Sequence, residues 1–195
     1  MAHDTTEINR QNSAFDGDKP VWLFGYGSLI FKAGFEYLQR RPAWISGYER
    51  RFWQGSHDHR GTPEAPGRVA TLIESPEATC WGMGYLVTPE VFDSLDVREK
   101  NGYLRRTISM TFDTNEMTDS IVYWAGPDNA AWLGEASEAE IAAHIAVSEG
   151  PSGPNREYLL KLADSLRELN DEDPHVFEIE RHLRALIGES AFVSA

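Results

Sequence analysis

The run Val21-Trp22-Leu23-Phe24-Gly25-Tyr26-Gly27-Ser28-Leu29 opens as a strand and stops at a pair of glycines. Val21 to Phe24 are β-rich and apolar, while Gly25 and Gly27 tolerate close backbone approaches, so the pattern predicts a strand running into a tight turn. Further strand signals follow at Val69 to Ile73, Trp81 to Val87, Leu104 to Phe112 and Ile121 to Ala125. Thr88-Pro89-Glu90-Val91 predicts a short helix between them, with Thr88 as N-cap, Pro89 at its first position, and Phe92 and Leu95 facing inward. It delivers the chain to Asp96-Val97-Arg98-Glu99. After Pro127 the period changes. Ser137-Glu138-Ala139-Glu140 is a capping box, and two amphipathic helices follow, through Leu159, Leu162, Leu166 and Leu169 and through Val176, Ile179, Leu183 and Leu186. The second is expected to end at Gly188. Strands first and helices later, without alternation, predict an α+β domain with a mostly antiparallel sheet or barrel.

The 195 residues carry 18 Lys+Arg and 31 Asp+Glu, a formal net charge of −13. A chain of this length buries roughly 70% of its unfolded surface and needs no disulfide or metal to complete a core. We expect a polar, mobile tail over residues 1–19, one domain over 20–188 and a C-terminal tail over 189–195. Cys80 is the single cysteine, which excludes disulfide frameworks and thiolate metal clusters and fits a reducing, cytoplasmic setting. No apolar run reaches the roughly 18 residues of a membrane span, and the first nineteen residues lack a signal-peptide core. Acidity concentrates after Pro127, where the net charge is −9, so nucleic acid and anionic membranes are not expected partners. The stretch from Arg40 to Arg68 runs the other way, with six arginines against Glu49, Asp58 and Glu64, and can attract a small anion.

Two segments could carry chemistry. The turn Phe24 to Leu29 exposes backbone N–H groups and the Ser28 hydroxyl to a carboxylate or phosphate, or is only a tight strand turn. In Asp96 to Tyr103, Glu99 is either a base beside a turn and the Tyr103 hydroxyl or part of a solvated charge run. Other candidates are weaker. His57-Asp58-His59 lacks a third metal ligand and reads as a polar loop; no metal or other cofactor is expected. His175 and His182 read as surface residues of a helix. Cys80 reads as packing, and Trp22, Trp53, Trp81, Trp124 and Trp132 as core or rim, or as the lining of a sugar site.

Taken in order, Phe24 to Leu29, Arg51-Phe52-Trp53-Gln54-Gly55-Ser56, Gly67-Arg68-Val69-Ala70-Thr71-Leu72, Val97 to Tyr103 and Gly150-Pro151-Ser152-Gly153-Pro154-Asn155 with Glu157-Tyr158-Leu159 closely resemble the ChaC-like γ-glutamylcyclotransferases. The resemblance covers approximately residues 20–170. It implies a compact small mixed β-barrel with flanking helices, and cleavage of glutathione to 5-oxoproline and Cys-Gly, a carbon–nitrogen lyase reaction. By matching position it assigns the substrate loop to Phe24, Gly25, Tyr26, Gly27, Ser28 and Leu29 and the acid/base to Glu99. Arg68 and Tyr103 are secondary candidates, Arg68 for the glycine carboxylate of the substrate. Trp124 and Trp132 stand where tyrosine is commoner in such proteins, which bears on fine substrate preference. Two alternatives stay open: a cyclotransferase for other γ-glutamyl amino acids or amines, and a non-enzymatic domain that binds an anion or sugar. Oligomeric state is not legible.

Overall fold

The computed structural model describes residues 4–12, 15 and 17–188. Five strands close into a barrel in the order β1-β3-β2-β4-β5, formed by β1 (Val21–Gly25), β2 (Gln39–Ser56), β3 (Gly67–Val87), β4 (Leu104–Phe112) and β5 (Met117–Trp124). Neighbours run antiparallel except at the closing seam, where β1 and β5 are parallel with Leu23 opposite Ile121 and Phe24 opposite Val122. The small mixed barrel that the resemblance implies is therefore present, and the helices expected after Pro127 accompany it. These are α4 (Glu138–Val147), α5 (Asn155–Glu168) and α6 (Pro174–Ile187), with a minimal hairpin of β6 (Glu149–Gly150) and β7 (Gly153–Pro154) between the first two.

Local chemistry explains the helix ends. Ser137 and Glu140 exchange side-chain and backbone hydrogen bonds in a complete capping box at the start of α4. Asp173 accepts from the Val176 N–H at 3.0 Å to begin α6, and Gly188 ends it in the left-handed region at φ 75°. Leu159, Leu162 and Leu166 of α5 and Val176, Ile179 and Leu183 of α6 are fully buried, whereas Leu186 is exposed. A short helix α2 (Ser28–Phe31) follows β1, and α3 (Val91–Arg98) buries Phe92 and Leu95 as expected. It starts later than the Thr88 cap predicts, because Thr88 to Glu90 form a turn in which the Val91 N–H donates to the Thr88 carbonyl.

Three expectations are corrected. The stretch expected only as basic is strand β2, and the two strands expected over Val69 to Val87 are one, β3. Inward positions on β2 are Ala43 and Ile45, then Arg50, Phe52 and Gln54; an irregularity between Ser46 and Tyr48 shifts the pairing and flips the inward parity, so no long alternation appears in the sequence. Gly47, at φ 83°, supplies the required conformation. The third correction concerns the N-terminus. Instead of a mobile tail throughout, residues Thr6–Gln11 form a helix, α1, with Asn9 fully buried. Polar composition concealed it because its contacts are hydrogen bonds rather than apolar burial. Residues 189–195, expected as a tail, lie outside the described residues.

Candidate active site

The β1 strand ends at Gly25, and the chain turns through Tyr26 and Gly27 into α2. Both glycines are required by close approach: a Cβ on Gly25 would lie 2.6 Å from the Leu29 Cβ, and one on Gly27 would lie 2.7 Å from the Tyr158 Oη. Buried polar side chains fix the turn from behind. The Arg50 Nε donates to the Tyr26 carbonyl at 2.7 Å, the Tyr85 hydroxyl to the Leu29 carbonyl at 2.6 Å, and the Tyr26 hydroxyl to the Tyr123 carbonyl at 2.7 Å. Arg50 is itself anchored by Asp173 and lies near Asp171, so the acidic segment before α6 reaches the turn through one guanidinium.

All six residues Phe24 to Leu29 line a space of about 40 Å³ together with Ala70, Glu99, Tyr103, Tyr123 and Tyr158. A wider cavity of about 320 Å³ is also lined by Ser28, Glu99, Tyr103 and Tyr158, and adds Lys32, Asp58, His59 and Arg60 among others. The four shared residues set the two spaces side by side around one carboxylate. Glu99 caps the C-terminus of α3, and its side chain is only 17% exposed. Burial holds its carboxyl above the usual carboxylate range, with Asp58 pushing the same way and Arg98 and His59 opposing. The Arg98 Nε stands 3.2 Å from the Glu99 Oε1. Tyr103 donates to the Ala70 carbonyl at 2.7 Å, and the Ala70 N–H donates to the Tyr158 hydroxyl at 3.3 Å. Burial raises the Tyr158 hydroxyl to about 12 and Tyr103 well above its ordinary value. The inner space therefore presents neutral hydroxyls, backbone and one titratable acid.

Residues 21–186 match the family described as ChaC-like protein. The chain belongs to the ChaC-like family. Among ChaC-like relatives, glutathione-specific gamma-glutamylcyclotransferase 1 of Danio rerio is 45% identical over 181 residues, covering 88% of this chain and 92% of that one. Gamma-glutamylcyclotransferase 2-3 of Arabidopsis thaliana is 41% identical over 182 residues, covering 87% and 92%. The crystal structure of the yeast γ-glutamyl cyclotransferase specific to glutathione superposes with a TM-score of 0.75 at 32% identity, over 86% of this chain and 99% of that chain.

In this ChaC-like chain the predicted site residues divide. The turn, Glu99 and Tyr103 come together at one cavity, and Arg68 does not join them. The Arg68 guanidinium donates to the carbonyls of Phe52 at 3.0 Å and Gly134 at 2.9 Å, which ties β2 to the segment before α4; the expectation that it meets the substrate is corrected. None of the six tryptophans lines either space. Trp124 donates to the Leu72 carbonyl beneath Arg106, and Trp132 packs edge-on to Trp53. His175, expected at the surface, is buried: its Nε2 accepts from the Phe52 N–H, which leaves Nδ1–H to donate to Glu138. Cys80 is buried and its thiol is pushed up to about 12 by burial. Among the described residues no three His, Cys, Asp or Glu side chains are grouped as metal ligands, and no helix is long and apolar enough to cross a membrane.

Sequence reasoning missed several lining residues. Asp58 and His59, whose sequence signals only a polar loop, stand in the wider cavity, where His59 is held by the Ser152 hydroxyl at 3.1 Å and the Arg98 carbonyl at 3.2 Å. Tyr158 was also missed. Its signal was a tyrosine on the apolar face of α5, one residue before the buried Leu159.

Proposed function

We infer that the chain is a glutathione-specific γ-glutamylcyclotransferase, releasing 5-oxoproline and Cys-Gly, with Glu99 as its acid/base. What carries the inference is one juxtaposition: the whole of the Phe24 to Leu29 turn and the Glu99 carboxyl line the same narrow space. That space suits a γ-glutamyl group folded back on itself, and the wider cavity offers Lys32 and Arg60 to the terminal carboxylate of the Cys-Gly portion.

The substrate holds its own nucleophile. Its α-amine nitrogen attacks the γ-carbonyl carbon, the carbonyl becomes an oxyanion, and Glu99 takes a proton from the attacking nitrogen. Collapse breaks the bond to the cysteinyl nitrogen, which receives that proton from Glu99 and leaves as the amine of Cys-Gly. Atoms balance without water, and the steps draw on no metal or other cofactor. Holding the folded-back conformer supplies proximity, for which effective molarities reach ~10⁵ M or more. An α-amine is mostly protonated near neutral pH, since such groups titrate around 8, so the neutral minority form reacts after its ammonium proton has passed to solvent, and Glu99 is left to take the proton shed on attack; an elevated carboxyl is better matched to that exchange than an ordinary one. Backbone N–H groups of the Tyr26 to Leu29 turn, where α2 begins, are assigned to the α-carboxylate or the oxyanion. A reducing, cytoplasmic setting accompanies this assignment.

The test is product analysis. Wild-type protein incubated with glutathione is expected to yield 5-oxoproline and Cys-Gly in equal amounts, and folded Glu99→Gln to lose about 10²- to 10⁴-fold in kcat. Intact glutathione after prolonged incubation would overturn the activity. A folded Glu99→Gln variant working at the parental rate would overturn the role of Glu99 alone.

A further inference from the structure

The segment ahead of the family match touches the chain immediately after Glu99. Asp4 pairs with Asn101 in an isolated antiparallel bridge. The Thr5 N–H donates to the Lys100 carbonyl at 2.9 Å, and the Thr5 hydroxyl lies 3.0 Å from that oxygen and 2.7 Å from the Tyr103 carbonyl. Asn9, fully buried, donates from Nδ2 to the Tyr103 carbonyl at 2.9 Å and accepts at Oδ1 from the Arg105 N–H at 2.9 Å.

These bonds add to two backbone hydrogen bonds within the turn, from the Glu99 N–H to the Leu95 carbonyl and from the Gly102 N–H to the Lys100 carbonyl, each at 2.8 Å. Glu99 leaves α3 through a non-helical conformation, and Gly102 follows at φ 89°. On its other side the turn is gripped by β2, because Gln54 Nε2 donates to the Asn101 carbonyl at 2.9 Å and Asn101 Nδ2 to the Gly55 carbonyl at 2.7 Å. The carbonyls of Lys100, Asn101 and Tyr103 thus all have partners; the N-terminal segment shares Lys100 with the Gly102 N–H and supplies both donors to Tyr103. Buried carbonyls left without donors are costly, so these contacts specify the path of the turn.

We propose that Thr5 and Asn9 are positioning residues for Glu99, and that the N-terminal segment is a clamp fixing the turn that carries this carboxylate. It acts on orientation and touches no substrate. A base displaced by about 1 Å loses on the order of 10² in rate while leaving binding groups in place, so the clamp governs kcat more than KM.

The experiment uses the full chain. The Thr5→Val/Asn9→Ala double variant is expected to lower kcat at least tenfold with KM changed less than threefold, and hydrogen–deuterium exchange over residues 96–103 to quicken at least tenfold. Thr5→Ser, which keeps the hydroxyl, is expected to match wild type in both. Should the double variant fail to fold, Thr5→Val alone carries the comparison with Thr5→Ser. Unchanged exchange over 96–103, unchanged kcat, or an equal loss in Thr5→Ser and Thr5→Val overturns the clamp. The kinetic arm rests on the proposed function. If wild-type protein turns over no glutathione, that function fails, and exchange alone decides whether the segment holds the turn.

Discussion

Arg98 donates to the Ser28 hydroxyl at 3.0 Å, so one side chain joins the helix that carries Glu99 to the glycine turn. The same guanidinium donates to the carbonyls of Lys32 and Ala33 and stands beside the Glu99 carboxyl. Cutting this link separates two halves of one site. Arg98→Gln is therefore expected to lower kcat/KM for glutathione by about 10²-fold, measured by 5-oxoproline release. Arg98→Lys is expected to recover little, since one ammonium cannot reproduce a planar fork with several acceptors.

Activity should fall on the acid side where Glu99 gains its proton. Because burial raises that carboxyl, the acid limb of kcat/KM is expected above pH 4.5. Asp58 contributes to the elevation through its charge, so Asp58→Asn should lower the Glu99 pKa and move the limb to lower pH. A limb that stays in place or moves upward would contradict the assignment of the limb to Glu99.

Gly27 has no room for a methyl group. Its added carbon would meet the Tyr158 hydroxyl at 2.7 Å and the Ala70 Cβ at 3.8 Å, and would occupy the narrow space itself. Gly27→Ala is expected to lower kcat/KM by about 10²-fold with secondary structure intact by circular dichroism.

Stability should respond to pH through His175. Burial lowers its pKa below the ordinary 6.5, against the opposing Glu138 hydrogen bond. The unfolded chain therefore takes up a proton near pH 6.5 that the folded chain resists. Its contribution is complete above 6.5 and is lost as pH falls from there through the folded value, at up to about 1.4 kcal/mol per pH unit. Urea midpoints at pH 7.5 and 5.5 should differ more in wild type than in His175→Gln. Equal differences would show that His175 does not titrate in this range.

The barrel and the helical third were legible because their signals are local: apolar runs between glycines, a capping box, leucines at helical spacing. Strand β2 escaped because its bulge flips the inward parity and because Arg50 and Gln54, buried at 1% and 0% exposure, look like surface residues in a sequence. The site was legible as an ordered set of motifs rather than as chemistry, since nothing in Arg98-Glu99-Lys100 reveals that Arg98 and Glu99 both line the cavity. Arg68 misled for the converse reason. An arginine beside a strand carries the same letter whether it meets a ligand or, as here, two backbone carbonyls. Thr5 and Asn9 left no trace, because hydrogen bonds to distant carbonyls have no periodicity.

Cys80 bears on how such a catalyst coexists with its substrate. Glutathione is itself a thiol and accumulates a disulfide form, and any accessible thiolate on the protein would be drawn into exchange with that pool. The chain's one sulfhydryl is sealed in the core and remains protonated at any physiological pH, so it offers no handle for mixed-disulfide formation. Turnover would then follow how much reduced tripeptide is present, without covalent feedback from the ratio of its oxidised to reduced forms.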